Sequence, residues 1–262
     1  SLVGSEMCIR DSAQTVKPFK EGDRAVFLGN SITDGGRYHS FIWLYYMTRF
    51  PNMPIRVFNG GIGGDTAYDM NKRLDGDIFS KNPTVLMVTF GMNDSGYYEY
   101  NGDNAKEFGE QKYQESIKNF QQMEKRFKEL PHTRIVMTGT SPYDETAQIK
   151  DNTVFKKKNE TIKRIIEYQR ESAARNGWEF TDWNAPMVAI NQELQQKDPS
   201  FTLCGNDRIH PDNDGHMVMA YLFLKAQGFA GKDVANMEIN ANKKQAVKAE
   251  GCLLYTSPSP RD

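Results

Sequence analysis

Short apolar runs that end in small, polar turns alternate along this chain with longer stretches whose apolar residues recur every three or four positions. The first run, Ala25-Val26-Phe27-Leu28, leads into Gly29-Asn30-Ser31-Ile32-Thr33, and a helix is expected over 38–50, ended by Pro51. Ile55-Arg56-Val57-Phe58 reads as a second strand running into the cluster Asn59-Gly60-Gly61-Ile62-Gly63-Gly64, with a helix starting at Asp65 or Thr66. Residues 83–90 are apolar almost throughout, as a parallel strand buried on both faces should be, and end at Gly91-Met92-Asn93-Asp94. A polar loop rich in tyrosine follows to about Gly109. Ile117, Phe120, Met123, Phe127 and Leu130 then share one helical face over 110–130.

Ile135-Val136-Met137 is the next strand, followed by a polar loop over 138–143. A helix over 151–176 turns Ile162, Ile165, Ile166 and Ala173 inward and Lys156-Lys157-Lys158 to solvent, and Gly177 closes it. Trp178-Glu179-Phe180 reads as the last strand. Helices follow over 185–196 and 212–227, the second with Met217, Ala220, Tyr221 and Leu224 facing in. The alternation predicts the α/β class: a parallel sheet of about five strands with helices on both faces and a ligand site at the carboxyl edge of the sheet.

Composition narrows the function classes. The 262 residues suit one α/β domain with additions, and 38% hydrophobic and 26% charged residues are ordinary for a globular protein. A net charge of -1 gives no case for a nucleic-acid or anionic-membrane partner. No apolar run approaches the roughly 20 residues of a transmembrane segment. The longest, 41–47, reads as a buried helix. Cys8, Cys204 and Cys252 form neither a close pair nor a metal-like spacing. Residues 1–12 and 252–262 have no amphipathic period and resemble translated sequencing-adapter read-through, so they are set outside the fold. Ser12-Ala13-Gln14 reads as the remnant of a signal-peptide cleavage site, which would make the protein secreted or periplasmic.

Three turns, at Ser31, Gly64 and Asn93, each follow a strand and therefore gather at one edge of a parallel sheet. Before the last helix the chain offers Asp207-Arg208-Ile209-His210. A carboxylate and a histidine three residues apart can lie on one side of a turn, where Asp207 accepts a hydrogen bond from the imidazole and leaves His210 to take a proton from Ser31. That is the nucleophile, base and orienter of acyl transfer. The N–H groups of Ser31 and Gly64 and the amide of Asn93 can serve the oxyanion. On its own, Ser31 reads equally well as a helix cap, and Gly64, Asn93, Asp207 and His210 as turn or structural residues. The glycine cluster lacks the dinucleotide spacing and there is no phosphate loop. His39, His132 and His216 have no evident partners, and His210 with His216 is only a weak metal pair.

Gly29-Asn30-Ser31, Asn59 to Gly64, Gly91-Met92-Asn93-Asp94 and Asp207-Arg208-Ile209-His210 stand in the order of the blocks of the SGNH hydrolases, the superfamily of the GDSL esterases, which this sequence resembles over about 23–227. The resemblance implies a flavodoxin-like three-layer α/β/α fold with a five-stranded parallel sheet over 13–230, leaving 231–251 as the start of a truncated C-terminal extension. It implies Ser31, Asp207 and His210 as catalytic residues, Ser31, Gly64 and Asn93 as the oxyanion hole, and no metal or cofactor. Asn30 stands where the family usually has aspartate, and Asp34 could partly take over in holding the turn. Asn30, Tyr97, Tyr98 and Tyr143 are candidates for contact with the substrate. The expected activity is hydrolysis of a small-molecule or carbohydrate ester, with a short acyl group such as acetyl. An acyltransferase, a thioesterase or lipase-like enzyme, and a silent glycan-binding protein of the same fold are the alternatives.

Overall fold

Successive residues of a strand point to opposite faces, and here both faces are apolar. In β1 (Arg24–Gly29), β3 (Val85–Val88) and β4 (Arg134–Gly139), Val26, Leu28, Leu86, Val88, Ile135 and Met137 join one core cluster with Phe120, Met123, Phe127 and Ile165. Phe27, on the opposite face, meets an aromatic layer of Tyr38, His39 and Phe223. The computed structural model describes residues 15–150, 152–232, 236–240, 242–243 and 245–250.

With β2 (Arg56–Gly61) and β5 (Glu179–Asp182) the strands form an all-parallel sheet in the order β2-β1-β3-β4-β5. This is the expected three-layer α/β/α fold. Its helices are α1 (Ser31–Asp34), α2 (Tyr38–Arg49), α3 (Ala67–Lys72), α4 (Ala105–Lys128), α5 (Lys158–Asn176), α6 (Asn184–Leu194) and α7 (Asn213–Ala226). α2 packs on α7, and α4 packs between α3 and α5. The chain divides after Gly228 into two compact units. The second contains an antiparallel hairpin, β6 (Asn236–Asn240) and β7 (Gln245–Glu250), where the sequence reading assigned no element. The adapter-like ends, with Cys8 and Cys252, lie outside the described residues. No described helix is long and apolar enough to cross a membrane.

Several elements differ from the expectation for identifiable reasons. β2 continues through the glycine cluster to Gly61, because its register against β1 pairs Gly29 with Gly61. A Cβ on Gly61 would lie 2.2 Å from the Asp34 nitrogen, so only glycine lets β2 pass this close to the serine turn. α4 starts at Ala105 rather than Glu110 and contains Gly109, where a Cβ would sit 2.8 Å from Thr161 Oγ1. That glycine marks a close approach of two helices, not a boundary.

α5 begins at Lys158, seven residues later than expected, after Lys157 in a left-handed conformation. Its first turn is capped from a distance: Glu145 accepts from the N–H groups of Lys157 (2.8 Å) and Asn159 (2.7 Å). The run 41–47 is half exposed, with Trp43, Leu44 and Met47 outward and Ile42 and Tyr46 inward. On α7 the buried positions are His216, Met219, Ala220 and Phe223, while Met217 and Tyr221 are exposed. The two sets are the same helical pattern offset by one residue, and a histidine at a core position hid the true one.

Candidate active site

Asn30 caps the short helix α1, its Oδ1 accepting from the N–H of Ile32 at 3.1 Å, so the residue that departs from the usual aspartate still holds the turn. The side chain of Asp34, proposed as a substitute, is exposed. Ser31 is the first residue of the helix, where a backbone N–H has no intrahelical acceptor. Beneath the turn, Thr33 Oγ1 pairs with the Tyr38 hydroxyl at 2.9 Å and the Thr33 carbonyl with His39 Nε2 at 3.2 Å. His39 therefore has a structural partner after all, and burial lowers its pKa.

The loop before α7 brings His210 Nε2 to 2.7 Å from Ser31 Oγ and His210 Nδ1 to 2.6 Å from Asp207 Oδ2. Asp207 Oδ1 also accepts from the N–H groups of Ile209 and His210, both at 2.9 Å. Partial burial pushes the Asp207 carboxyl up, but these hydrogen bonds outweigh it and hold the group below the usual carboxylate value. The Asp207 bond in turn raises the His210 pKa above 6.5, against an opposing effect of burial.

Two residues shape this loop. Gly205 has φ +69°, and a Cβ there would meet the His210 carbonyl oxygen at 2.3 Å. Arg208, buried with φ +68°, donates from Nη1 to the carbonyls of Asp144 (3.1 Å) and Ala147 (2.8 Å). It pins the loop to the segment after β4. The sequence reading passed over Arg208, because nothing in its neighbours distinguishes it from a surface arginine.

Gly64 is exposed with φ +83°, and space around a Cβ is open, so the backbone angle is what selects glycine. Asn93 contacts Asp65, the residue after Gly64. Its Nδ2 donates to the Asp65 carbonyl at 2.9 Å and its Oδ1 accepts from the Tyr97 hydroxyl at 2.5 Å, which leaves one amide N–H without a partner among the described residues. Asp94, buried, accepts from Gly91 N, Ala67 N and Ser116 Oγ and so ties the Asn93 turn to the start of α3. Arg73, also missed from sequence, joins Asp65 Oδ2 to the carbonyls of Gly29 and Gly60. The turns at Ser31, Gly64 and Asn93 are thereby cross-braced. A cleft of about 280 Å³ borders Asn93 between Thr66, Tyr68, Lys112 and Asn119.

The four residues expected to touch substrate fare differently. Asn30 and Tyr143 are buried, with Asn30 committed to its cap and the Tyr143 hydroxyl accepting from Phe155 N at 3.0 Å, so neither presents a surface to a ligand. Tyr97 is largely enclosed and spends its hydroxyl on Asn93. Tyr98 is exposed, edge-on to Phe155. His216 is buried and stacked on Tyr38, with its pKa pushed down to about 4, chiefly by burial. Among the described residues no group of three or more His, Cys, Asp or Glu is placed to hold a metal ion. Cys204 is buried, and burial pushes its thiol up to about 12.

A doubly wound sheet carrying serine, histidine and aspartate in hydrogen-bonded series at its carboxyl edge is the architecture of a serine hydrolase. Residues 27–218 match the profile of the GDSL-like lipase/acylhydrolase family, and the chain belongs to that family. It is an ester-hydrolysing enzyme of the SGNH superfamily. An acetylxylan esterase of Geobacillus stearothermophilus is 25% identical over 224 residues, which cover 79% of this chain and 95% of the relative. The crystal structure of a catalytic mutant of Axe2, an acetylxylan esterase from that organism, superposes with a TM-score of 0.65 at 22% identity, over 80% of this chain and 96% of the other. LAE5, an alpha/beta hydrolase enzyme from the metagenome of Lake Arreo, Spain, gives a TM-score of 0.60 at 21% identity, over 82% of this chain and 99% of the other.

Proposed function

We propose that this enzyme removes a short acyl group, acetyl above all, from a carbohydrate ester through an acyl-enzyme on Ser31. Ser31 Oγ attacks the carbonyl carbon while its proton passes to His210 Nε2. The tetrahedral intermediate places its negative oxygen against the N–H groups of Ser31 and Gly64 and the free amide N–H of Asn93. Its collapse breaks the ester C–O bond, and the sugar oxygen leaves with the proton from His210. Water then gives a proton to His210 and adds to the acyl carbon, and Ser31 leaves with that proton, releasing the acid. Asp207 holds the imidazole with Nε2 toward the serine throughout and stabilises its charged form.

The observation that carries the mechanism is the unbroken series Ser31 Oγ, His210 Nε2, His210 Nδ1, Asp207 Oδ2 at 2.7 and 2.6 Å. The choice of acetyl on a carbohydrate is supported by the acetylxylan esterase whose length this chain covers almost fully. The test is acid release from acetylated xylan and from p-nitrophenyl esters of increasing acyl length. The reading expects turnover of the acetyl substrates to exceed that of octanoyl esters by at least about tenfold, a difference within reach of a pocket that excludes extra methylenes. Preference for long acyl chains, or inertness toward acetylated xylan, would replace it with a lipase-like reading.

A further inference from the structure

Of the lysines at 156–158, the first two are exposed as the sequence suggests, but Lys158 is fully buried beneath the turn that carries Asn93. Its Nζ lies 2.6 Å from Met92 O, 2.6 Å from Ser95 Oγ and 2.6 Å from Gly96 O. Ser95 gives its own hydroxyl proton to the Met92 carbonyl at 2.9 Å and so can only accept from the lysine. Three acceptors call for three N–H donors, which an ammonium has and a neutral amine lacks. Burial pushes this group well below the usual lysine range, and the carboxylates of Asp94 and Glu145 oppose that shift.

Lys158 Nζ also lies 3.8 Å from the centroid of the Tyr97 ring, the geometry of a cation–π contact in a desolvated setting. Tyr97 is the next link, because its hydroxyl donates to Asn93 Oδ1. A flipped Asn93 amide would set its oxygen against the Asp65 carbonyl, so the two contacts together fix which way the NH₂ group points. Lys158 therefore grips the turn on both sides of Asn93 and also the ring whose hydroxyl orients the amide.

We propose that Lys158 is a positioning residue for oxyanion stabilisation: acting through the Met92–Gly96 turn and Tyr97, it keeps the unpartnered Asn93 N–H aimed at the reacting oxygen. This rests on the assignment of Asn93 to the oxyanion hole. The sequence offered no sign of it, since Lys158 stands in a charge run that looks solvated.

The test is a double-mutant cycle on kcat and KM for p-nitrophenyl acetate, with Asn93→Ala, Tyr97→Phe, Lys158→Met and the two doubles that contain Asn93→Ala. Tyr97→Phe and Lys158→Met are each expected to lower kcat about tenfold or more, with KM changed less than about threefold. Neither should lower it further once Asn93 is alanine, because residues acting through one group are not additive. A purely structural lysine would instead reduce kcat by the same factor in both backgrounds, and that result, or an unchanged kcat in Tyr97→Phe and Lys158→Met, overturns the proposal. Should Lys158→Met not fold, Lys158→Gln takes its place in the cycle, since it keeps polar contact with the turn and loses the cation over Tyr97. Wild-type kcat in Asn93→Ala alone would instead remove the oxyanion assignment beneath the proposal.

Discussion

A serine hydroxyl near neutral pH is a weak nucleophile, and in the proposed mechanism a neutral imidazole within hydrogen-bond reach activates Ser31. His210 must therefore be deprotonated at Nε2, while Asp207 favours its protonated form. kcat/KM should rise with pH through an inflection above 6.5, read from a pH–rate profile, and Asp207→Asn should move that inflection toward acid while lowering the rate. Stability runs the other way. The His210 pKa is raised on folding, so its contribution is fully present below about 6.5 and is lost as pH rises through the folded value. Asp207 is lowered on folding, so its contribution is lost as pH falls through a value below 3.8. The pair therefore stabilises the fold between those two pKa values, and activity gains at the alkaline end where that stabilisation fades. With Asn93 as the proposed oxyanion donor, Asn93→Ala should cost on the order of 10²–10³ in kcat, the usual effect of losing one such donor.

At the level of elements, two glycines of the site separate backbone angle from space. Gly205→Ala meets both a positive φ and the His210 carbonyl at 2.3 Å, so the loop must shift and carry the imidazole with it. Gly64→Ala meets the angle alone, a cost of about 1–2 kcal/mol with no collision. Kinetics and thermal melts of the two variants should show Gly205→Ala losing the larger share of activity. Phe120, fully buried on α4 with its ring 5.0 Å from Phe90, supports the sheet from below. Phe120→Ala should cost about 3–5 kcal/mol in denaturant unfolding. Elements were legible where one period dominated, as in β3 and the core face of α4. They were missed where a distant group decided: α5 starts where Glu145 caps it, and the α7 face turns on a histidine stacked under Tyr38.

Across the whole molecule, the parallel sheet explains why three of the four short motifs meet, while the fourth, Asp207 to His210, lies between α6 and α7 and is brought to them by its loop. Strand ends of a doubly wound sheet share one edge, so a motif after each strand needs no further information to converge. That is why Ser31, Gly64 and Asn93 could be placed together from sequence, each at a turn after a strand, while Asp207 and His210 were singled out by residue type and spacing alone. The supporting groups could not. Arg208, Arg73 and Lys158 bond mainly to backbone carbonyls far away in the chain, a pattern without any sequence signature. Tyr143, read as a ligand contact, lies in the core for the complementary reason: a tyrosine in a polar loop looks the same whether its hydroxyl faces substrate or a neighbouring backbone. The proposed mechanism stands or falls on Ser31. Treatment with a fluorophosphonate, followed by peptide mass spectrometry and residual activity on p-nitrophenyl acetate, should find one adduct on Ser31, loss of turnover in step with labelling, and neither adduct nor turnover in Ser31→Ala. Full turnover in Ser31→Ala, or inactivation with the adduct on another residue, would contradict it.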